Sequence, residues 1–166
     1  LRHHPVLIDL KHQIDNSLKK EYKIKLDYIT ATVNWYNYSW KGDIEKSGGI
    51  ATNIGIHFFD MLTWIFGAST SNIVEVHNHQ TAQGHLQLEK AQVDWKLSID
   101  ENELPYEVKG KGQRTYRSIQ IDDMEIEFSE GFADLHTACY QVILDGKGFG
   151  LADVRESVDI VSKLRK

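Results

Sequence analysis

Residues 47–67 read SGGIATNIGIHFFDMLTWIFG, and three side chains in that oily run could do chemistry: Asn53, His57 and Asp60. An imidazole ionises at about pH 6.5 when unperturbed, so His57 could take a proton from a substrate hydroxyl near neutrality. Asp60 could set the tautomer of that ring, and Asn53 could hydrogen-bond a polar substrate. On a helix turning about 100° per residue, Asn53, His57, Asp60 and Trp64 fall on one stripe. Ile54, Phe58, Met61, Leu62 and Ile65 fill the adjoining sector, and Ile56, Phe59 and Phe66 leave little polar surface elsewhere. A helix apolar nearly all round is buried, so its polar stripe must be hydrogen-bonded or face a cleft. Spacing alone leaves two readings open: a catalytic histidine, or a structural one with Asp60 as its anchor.

Glycines surround this stripe. Gly55 sits inside the first turns, where glycine costs about 1 kcal/mol against alanine. It removes a side chain at a point where a backbone or a ligand could approach. Gly48 and Gly49 form a flexible turn that exposes backbone N–H groups ahead of a helix N-terminus, a favourable place for negative charge. Lys41 and Lys46 flank that glycine pair as candidate cations, or as ordinary solvated loop lysines. His136 and Tyr140, one turn apart, could share the pocket or be hydrogen-bonded core residues. Tyr38 and Trp40 could stack on a ring or pack at a rim.

The elements that must position these residues follow from periodicity. Pro5 suits a helix first turn, and Leu7, Leu10, Ile14 and Leu18 predict an amphipathic helix to about residue 21. The β-branched and aromatic texture of residues 24–38 predicts a long strand, and residues 39–49 a loop. The chemical helix spans about residues 52–66 and stops at Gly67. Residues 72–128 predict several strands, with Val93, Trp95, Leu97 and Ile99 facing in and Gln92, Asp94, Lys96, Ser98 and Asp100 facing out. Turn signals at Gln83-Gly84, Glu101 to Pro105, Gly110-Lys111-Gly112 and Asp122-Asp123 predict an antiparallel meander. Two helices close the chain. One has a stripe of Leu135, Ala138, Val142 and Ile143, and the other of Val154, Val158, Val161 and Leu164, with Asp153 near its start. This order predicts an α+β domain: a mostly antiparallel open sheet with helices on one face.

Composition narrows the function classes. With 166 residues and a net charge of −5, the chain predicts one domain over residues 1–166 and no nucleic-acid footprint. A single cysteine, Cys139, excludes an internal disulfide and multi-cysteine zinc patterns, and fits a cytoplasmic location. No apolar run is long enough to span a membrane, and the start lacks a signal peptide and a Met, so the chain reads as a fragment or trimmed product. His77, His79 and His85 read as exposed hairpin residues, so no metal is expected. The basic KGKGQRTYR, residues 109–117, reads as a hairpin turn before a phosphate site. No strand leads into G-x-G-x-x-G, so a dinucleotide fingerprint is absent.

The run KSGGIATNIGIHFFDMLTWIFG resembles the signature of the C-terminal domain of the glucose-fructose oxidoreductase/inositol dehydrogenase/MocA family. The family pattern is G-G-x-x-x-D-x-G-x-H-x-x-D; Gly48, Gly49, Gly55, His57 and Asp60 match it, and Asn53 stands where the family often has Asp. The tail HTACYQVILDGKGFGLADVRESVDIV is similar to the family's closing helices, with His136 and Tyr140 in matching places, and LRHHP resembles the junction after the nucleotide-binding half. The resemblance implies the substrate-binding and oligomerisation domain of a two-domain oxidoreductase, without its Rossmann half. Within the family, SWKGD followed by KSGGIATNIGIHFFDML is similar to bacterial dehydrogenases that oxidise the 3-hydroxyl of UDP-N-acetylglucosaminuronic acid for surface polysaccharides. That likeness implies a UDP-sugar substrate, and NAD held mainly by the missing N-terminal domain. It implies His57 as base, alone or with a lysine from the other half, and Lys41, Lys46, Gly48, Gly49, Asn53, His136 and Tyr140 as substrate contacts. It also implies a homo-oligomer built through the sheet face and inactivity of the chain alone. A non-catalytic nucleotide-sugar binding or assembly module is the alternative.

Overall fold

Pro5 opens helix α1 (Pro5–Asp15), which buries Leu7, Leu10 and Ile14. The helix stops earlier than its periodicity predicts, because the Asn16 side chain takes the carbonyl of His12 at 2.7 Å; Leu18 lies beyond the stop and is 98% exposed. The computed structural model describes residues 1–31, 35–128 and 134–164, without the side chains of Trp35, Asn37 and Glu127.

Strand β1 (Tyr22–Thr30) points Tyr22, Ile24 and Leu26 inward and Lys23 and Lys25 outward. The predicted strand does not continue to Tyr38. Residues 32–34 of that prediction lie outside the described residues, and Trp35–Tyr38 forms a short helix, α2. Ser39 closes that turn by donating its hydroxyl and its N–H to the carbonyl of Tyr36. Local hydrogen bonding outweighs the strand preference of the aromatic residues here. The predicted loop is also largely helical. A 3-10 turn covers Trp40–Gly42, and α3 (Ile44–Ser47) is capped by Asp43, whose carboxylate accepts from Glu45 and Lys46 N–H. Helix α4 (Gly49–Asn53) then leads into α5 (Gly55–Phe66).

Strands β2 (Ser69–His77), β3 (Thr81–Leu88) and β4 (Ala91–Ser98) form an antiparallel meander. After helix α6 (Tyr106–Gly110) come β5 (Thr115–Ile121) and β6 (Met124–Glu127). The sheet order is β2-β3-β4-β1-β5-β6, with β1 parallel to β4 and antiparallel to β5. The first strand thus fills the centre of the sheet. A parallel pair needs a long crossover, and the helical stretch between β1 and β2 begins it. The predicted turn at Gln83-Gly84 falls inside β3. The hairpin turns instead at residues 78–80, where the Asn78 side chain accepts from Gln80 and Thr81 N–H.

Helix α7 (Leu135–Leu144) has no buried residue, against its predicted apolar stripe, and Leu144 is 80% exposed. Helix α8 (Leu151–Leu164) buries Ser157, Ile160 and Val161, while Val158 of its predicted stripe faces out. The main core lies between the sheet and α1, α4, α5 and α8. Phe59 of α5 meets Trp95 of β4 edge to face at 5.2 Å. Each such fully buried side chain contributes about 1.5–3 kcal/mol. The opposite face of the sheet carries Lys25, Asp27, Glu75, His85, Asp94 and Lys96. At its end a small second core of Ile29, Ala31 and Leu104 is covered by Val108 and Tyr116.

Two predictions follow from the sheet. A Cβ on Gly84 would stand 2.0 Å from the carbonyl oxygen of Ile73, so the glycine admits the β2 irregularity between Val74 and Val76. Gly84→Ala is expected to destabilise by about 1–3 kcal/mol in urea unfolding, with the β4 face still packed. On the polar face His85 Nδ1 meets Asp94 at 2.5 Å and Nε2 meets Glu75 at 3.0 Å, which together raise its pKa, Asp94 contributing most. A histidine pKa raised by folding stabilises below the unfolded value of about 6.5, and that contribution is lost as pH rises through the folded value. His85→Gln should therefore lower the melting temperature at pH 5.5, with a difference from the parent that shrinks towards pH 9.

Candidate functional site

Helices α4 and α5 meet at Ile54. Its N–H still reaches Ile50 at 2.9 Å, but His57 N–H reaches back only to Ile54, at 3.2 Å, in a tighter 3-10 step. The helix start is pressed onto the sheet: a Cβ on Gly55 would lie 2.8 Å from the Phe59 ring and 3.0 Å from Leu97 of β4. The glycine therefore serves close helix–sheet packing, not ligand approach. The junction fixes the direction of the polar stripe. Its upper half, Asn53 and His57, faces a cleft; its lower half, Asp60 and Trp64, turns towards Arg2.

The cleft has a volume of about 670 Å³ and sits where the helical face of the sheet runs out at the end of β1. Tyr28 and Thr30 of β1, Tyr36 of α2 and Phe58 of α5 supply much of its lining. The Tyr28 ring lies 4.9 Å from Phe58, and the Arg117 guanidinium of β5 lies 5.3 Å from Tyr28, so cation and rings stack in one wall. Lys41 reaches the cleft from the 3-10 turn. Asn53 donates to the Tyr36 hydroxyl at 3.4 Å. Leu135, His136 and Cys139 line the α7 side, and Leu1 and His3 the N-terminal side.

The His57 side chain reaches solvent within this cleft. The protein around the ring nevertheless strips enough hydration to push its pKa below the ordinary imidazole value, an effect opposed by Asp60. A lowered pKa favours the neutral ring, the form that accepts a proton.

Asp60 does not hold that ring. Its two oxygens receive Arg2 Nε at 2.9 Å and Nη2 at 2.7 Å, and the Ser157 hydroxyl adds a longer contact at 3.4 Å. The anchor reading of Asp60 thus has geometric support, but towards Arg2. Lys46 pairs with Asp43 at 3.0 Å, away from the cleft lining. Gly48 and Gly49 both have positive φ and shape the turn between α3 and α4. Their N–H groups are taken by Ile44 O and by the Ser47 hydroxyl, so they are not offered to a ligand. Tyr140 is 68% exposed and outside the cleft lining, whereas His136 one turn earlier is inside it.

Of the residues singled out by sequence, the structure gathers Lys41, Asn53, His57 and His136. It adds Arg2, His3, Tyr28, Tyr36 and Arg117, which sequence reasoning missed. Arg117 carried a usable signal, since alternation with Ile119 and Ile121 places it on the inward face of a strand. Arg2 carried none, because its partners are 58 and 151 residues away. Among the described residues, no group of three or more His, Cys, Asp or Glu side chains is arranged to hold a metal. Among the described residues, no helix is long and apolar enough to cross a membrane.

Residues 11–155 match the family described as an oxidoreductase family, C-terminal alpha/beta domain. The chain is similar over 100% of its length to the WlbA (WbpB) dehydrogenase of Thermus thermophilus, solved with NAD and α-ketoglutarate: identity is 46%, the TM-score 0.95, and 53% of that chain is covered. The Thermus thermophilus enzyme solved with NAD and UDP-GlcNAcA gives 45% identity and a TM-score of 0.94, over 99% of this chain and 53% of that one. The WlbA dehydrogenase of Bordetella pertussis, solved with NADH and UDP-GlcNAcA, is 19% identical with a TM-score of 0.68, over 98% of this chain and 56% of that one, a likeness of fold. The chain therefore spans about half the length of these solved relatives. It belongs to the Gfo/Idh/MocA oxidoreductase family, as that family's C-terminal alpha/beta domain.

Proposed function

We propose that this chain is the substrate-binding and assembly half of an NAD-dependent dehydrogenase that oxidises the 3-hydroxyl of a UDP-N-acetylhexosaminuronic acid. The observation that carries this reading is the placement of His57 on a packed helix beside a cleft that also presents Lys41, Asn53 and Arg117. The similarity to an enzyme solved with NAD and UDP-GlcNAcA supports the substrate class.

The residues present fit only the reacting end of such a cofactor. The sequence has no strand leading into a G-x-G-x-x-G turn that would cradle a pyrophosphate, so the body of NAD belongs to another part of the enzyme. The exposed face of α7, with Tyr140, Ile143 and Leu144, supports docking of that part beside the cleft. When bound, NAD supplies the acceptor for the hydride that leaves the sugar carbon. His57 takes the hydroxyl proton, directly or through a lysine of the other half, and the alcohol becomes a ketone. Asn53, oriented by Tyr36, hydrogen-bonds the sugar. Lys41 and Arg117 meet the carboxylate and diphosphate charges. Asp60 acts at one remove, by holding the helix that carries His57.

The same reading places the enzyme in the cytoplasm, in lipopolysaccharide or related surface-polysaccharide synthesis, as a homo-oligomer. The charged sheet face, left uncovered by the chain's own helices, supports assembly through that face.

Two measurements on the full-length enzyme test the proposal. His57→Gln should lower kcat by at least about 100-fold while leaving NAD affinity intact; near-normal turnover would reject His57 as the base. Lys41→Met should raise KM for the UDP-sugar by about 10-fold or more, as expected for one lost charge-assisted hydrogen bond, while Lys46→Met should leave it unchanged.

A further inference from the structure

We infer that Arg2 is a positioning residue for His57, acting through its bidentate pair with Asp60, which fixes the helix turn below the base and offsets the one carboxylate on that turn. The inference rests on the reading of His57 as the base. Arg2 is only 7% exposed and Asp60 19%, so this is a largely desolvated pair and not a surface contact. Arg2 Nη2 also donates to the carbonyl of Asp153 at 2.7 Å, in the first turn of α8. The Phe149 ring lies 4.5 Å from its guanidinium. One side chain therefore ties the N-terminal segment, α5, α8 and the turn before α8 into a single unit. Asp60 lies three residues after His57 on the same helix, so any movement of its carboxylate moves the turn that carries the imidazole.

The pair also has an electrostatic consequence. Asp60 favours the protonated form of His57, and a guanidinium on both its oxygens opposes that effect. Other ionisable groups around the ring are His3 on the N-terminal segment, Lys41 on the 3-10 turn and Arg117 on β5. Among the described residues, His136 and Cys139 on α7, Tyr28 on β1 and Tyr36 on α2 also line the cleft. Asp60 is the only carboxylate among these named groups. Pairing with Arg2 thus limits how far Asp60 favours the protonated ring, beside the larger effect of burial.

The test uses the full-length enzyme carrying Arg2→Gln, Arg2→Lys, Asp60→Asn and the Arg2→Gln/Asp60→Asn pair. The acid limb of kcat/KM against pH, kcat and KM separately, NAD affinity and melting temperature are measured. Activity requires neutral His57, so the limb follows its pKa. Arg2→Gln should move the limb to higher pH by about half a unit or more and reduce kcat, with KM changed less than about twofold. Asp60→Asn should move it to lower pH, the pair should return it towards the parent, and Arg2→Lys should restore it in part. A limb that stays in place in both single variants, whatever the melting temperature does, overturns the inference and leaves Arg2 a structural tie. Should Arg2→Gln not fold, the Asp60→Asn shift and the Arg2→Lys profile decide in the same way. A parent limb unchanged in residual His57→Gln activity would instead overturn the assignment of the base, separating the two failures.

Discussion

Burying helix α5 is the constraint on which the rest depends. It presents Phe58, Phe59, Met61, Leu62, Ile65 and Phe66 to the interior, and no single partner can cover so wide an apolar surface. The sheet takes one side through Trp95 and Leu97, and α1 and α8 take the others. Gly55 permits the close approach at the helix start. Once those faces are spent, the direction of the polar stripe is no longer free. Asn53 and His57 are left at the edge of the sheet, and Asp60 is left in the interior, where an unpaired carboxylate would be costly. The guanidinium of Arg2 is the answer to that cost, and it ties the chain's first residues to the helix that bears His57.

The cleft follows from the sheet as much as from the helix. Strand β1 runs down the centre, parallel to β4, and its last residues extend beyond the helices that cover its first ones. Tyr28 and Thr30 therefore belong to the core face by alternation but line an opening in practice. Arg117 reaches the same opening from β5 because it pairs directly with Tyr28. A cation at an inward position of a strand would be a defect in a closed core. At the end of the sheet it faces the open cleft. The rings of Tyr28 and Phe58 give it a flat surface to lie against.

The opposite face of the sheet solves a different problem. Its charges form cross-strand and neighbouring pairs: His85 with Asp94 and Glu75, Lys25 with Asp27, and Lys96 with Glu103. Pairs this exposed contribute little to stability individually. They do keep a wide open sheet from presenting an apolar surface, and they leave a patterned one. The small core of Ile29, Leu104 and Tyr116 closes the end of that face, so the patterned area is bounded.

Sequence alone determined the features that depend on short-range periodicity. The helix of His57, the alternation of β4, the α+β class and the glycine stop at Gly67 are all written at spacings of two to four residues. These patterns reflect backbone geometry that any tertiary setting must respect. Tertiary structure decided the features that depend on competition or distance. Whether Trp35 to Tyr38 extends or coils was settled by the hydroxyl of Ser39, and Gly84 proved to be a strand residue because a carbonyl of β2 crowds it. The parallel placement of β1 follows from how the whole chain packs, since the alternation of a strand is the same in either direction. The partner of Asp60 was beyond sequence reasoning for the same reason: local spacing pointed to His57, but a carboxylate binds whichever cation folding brings to it, and that cation was Arg2.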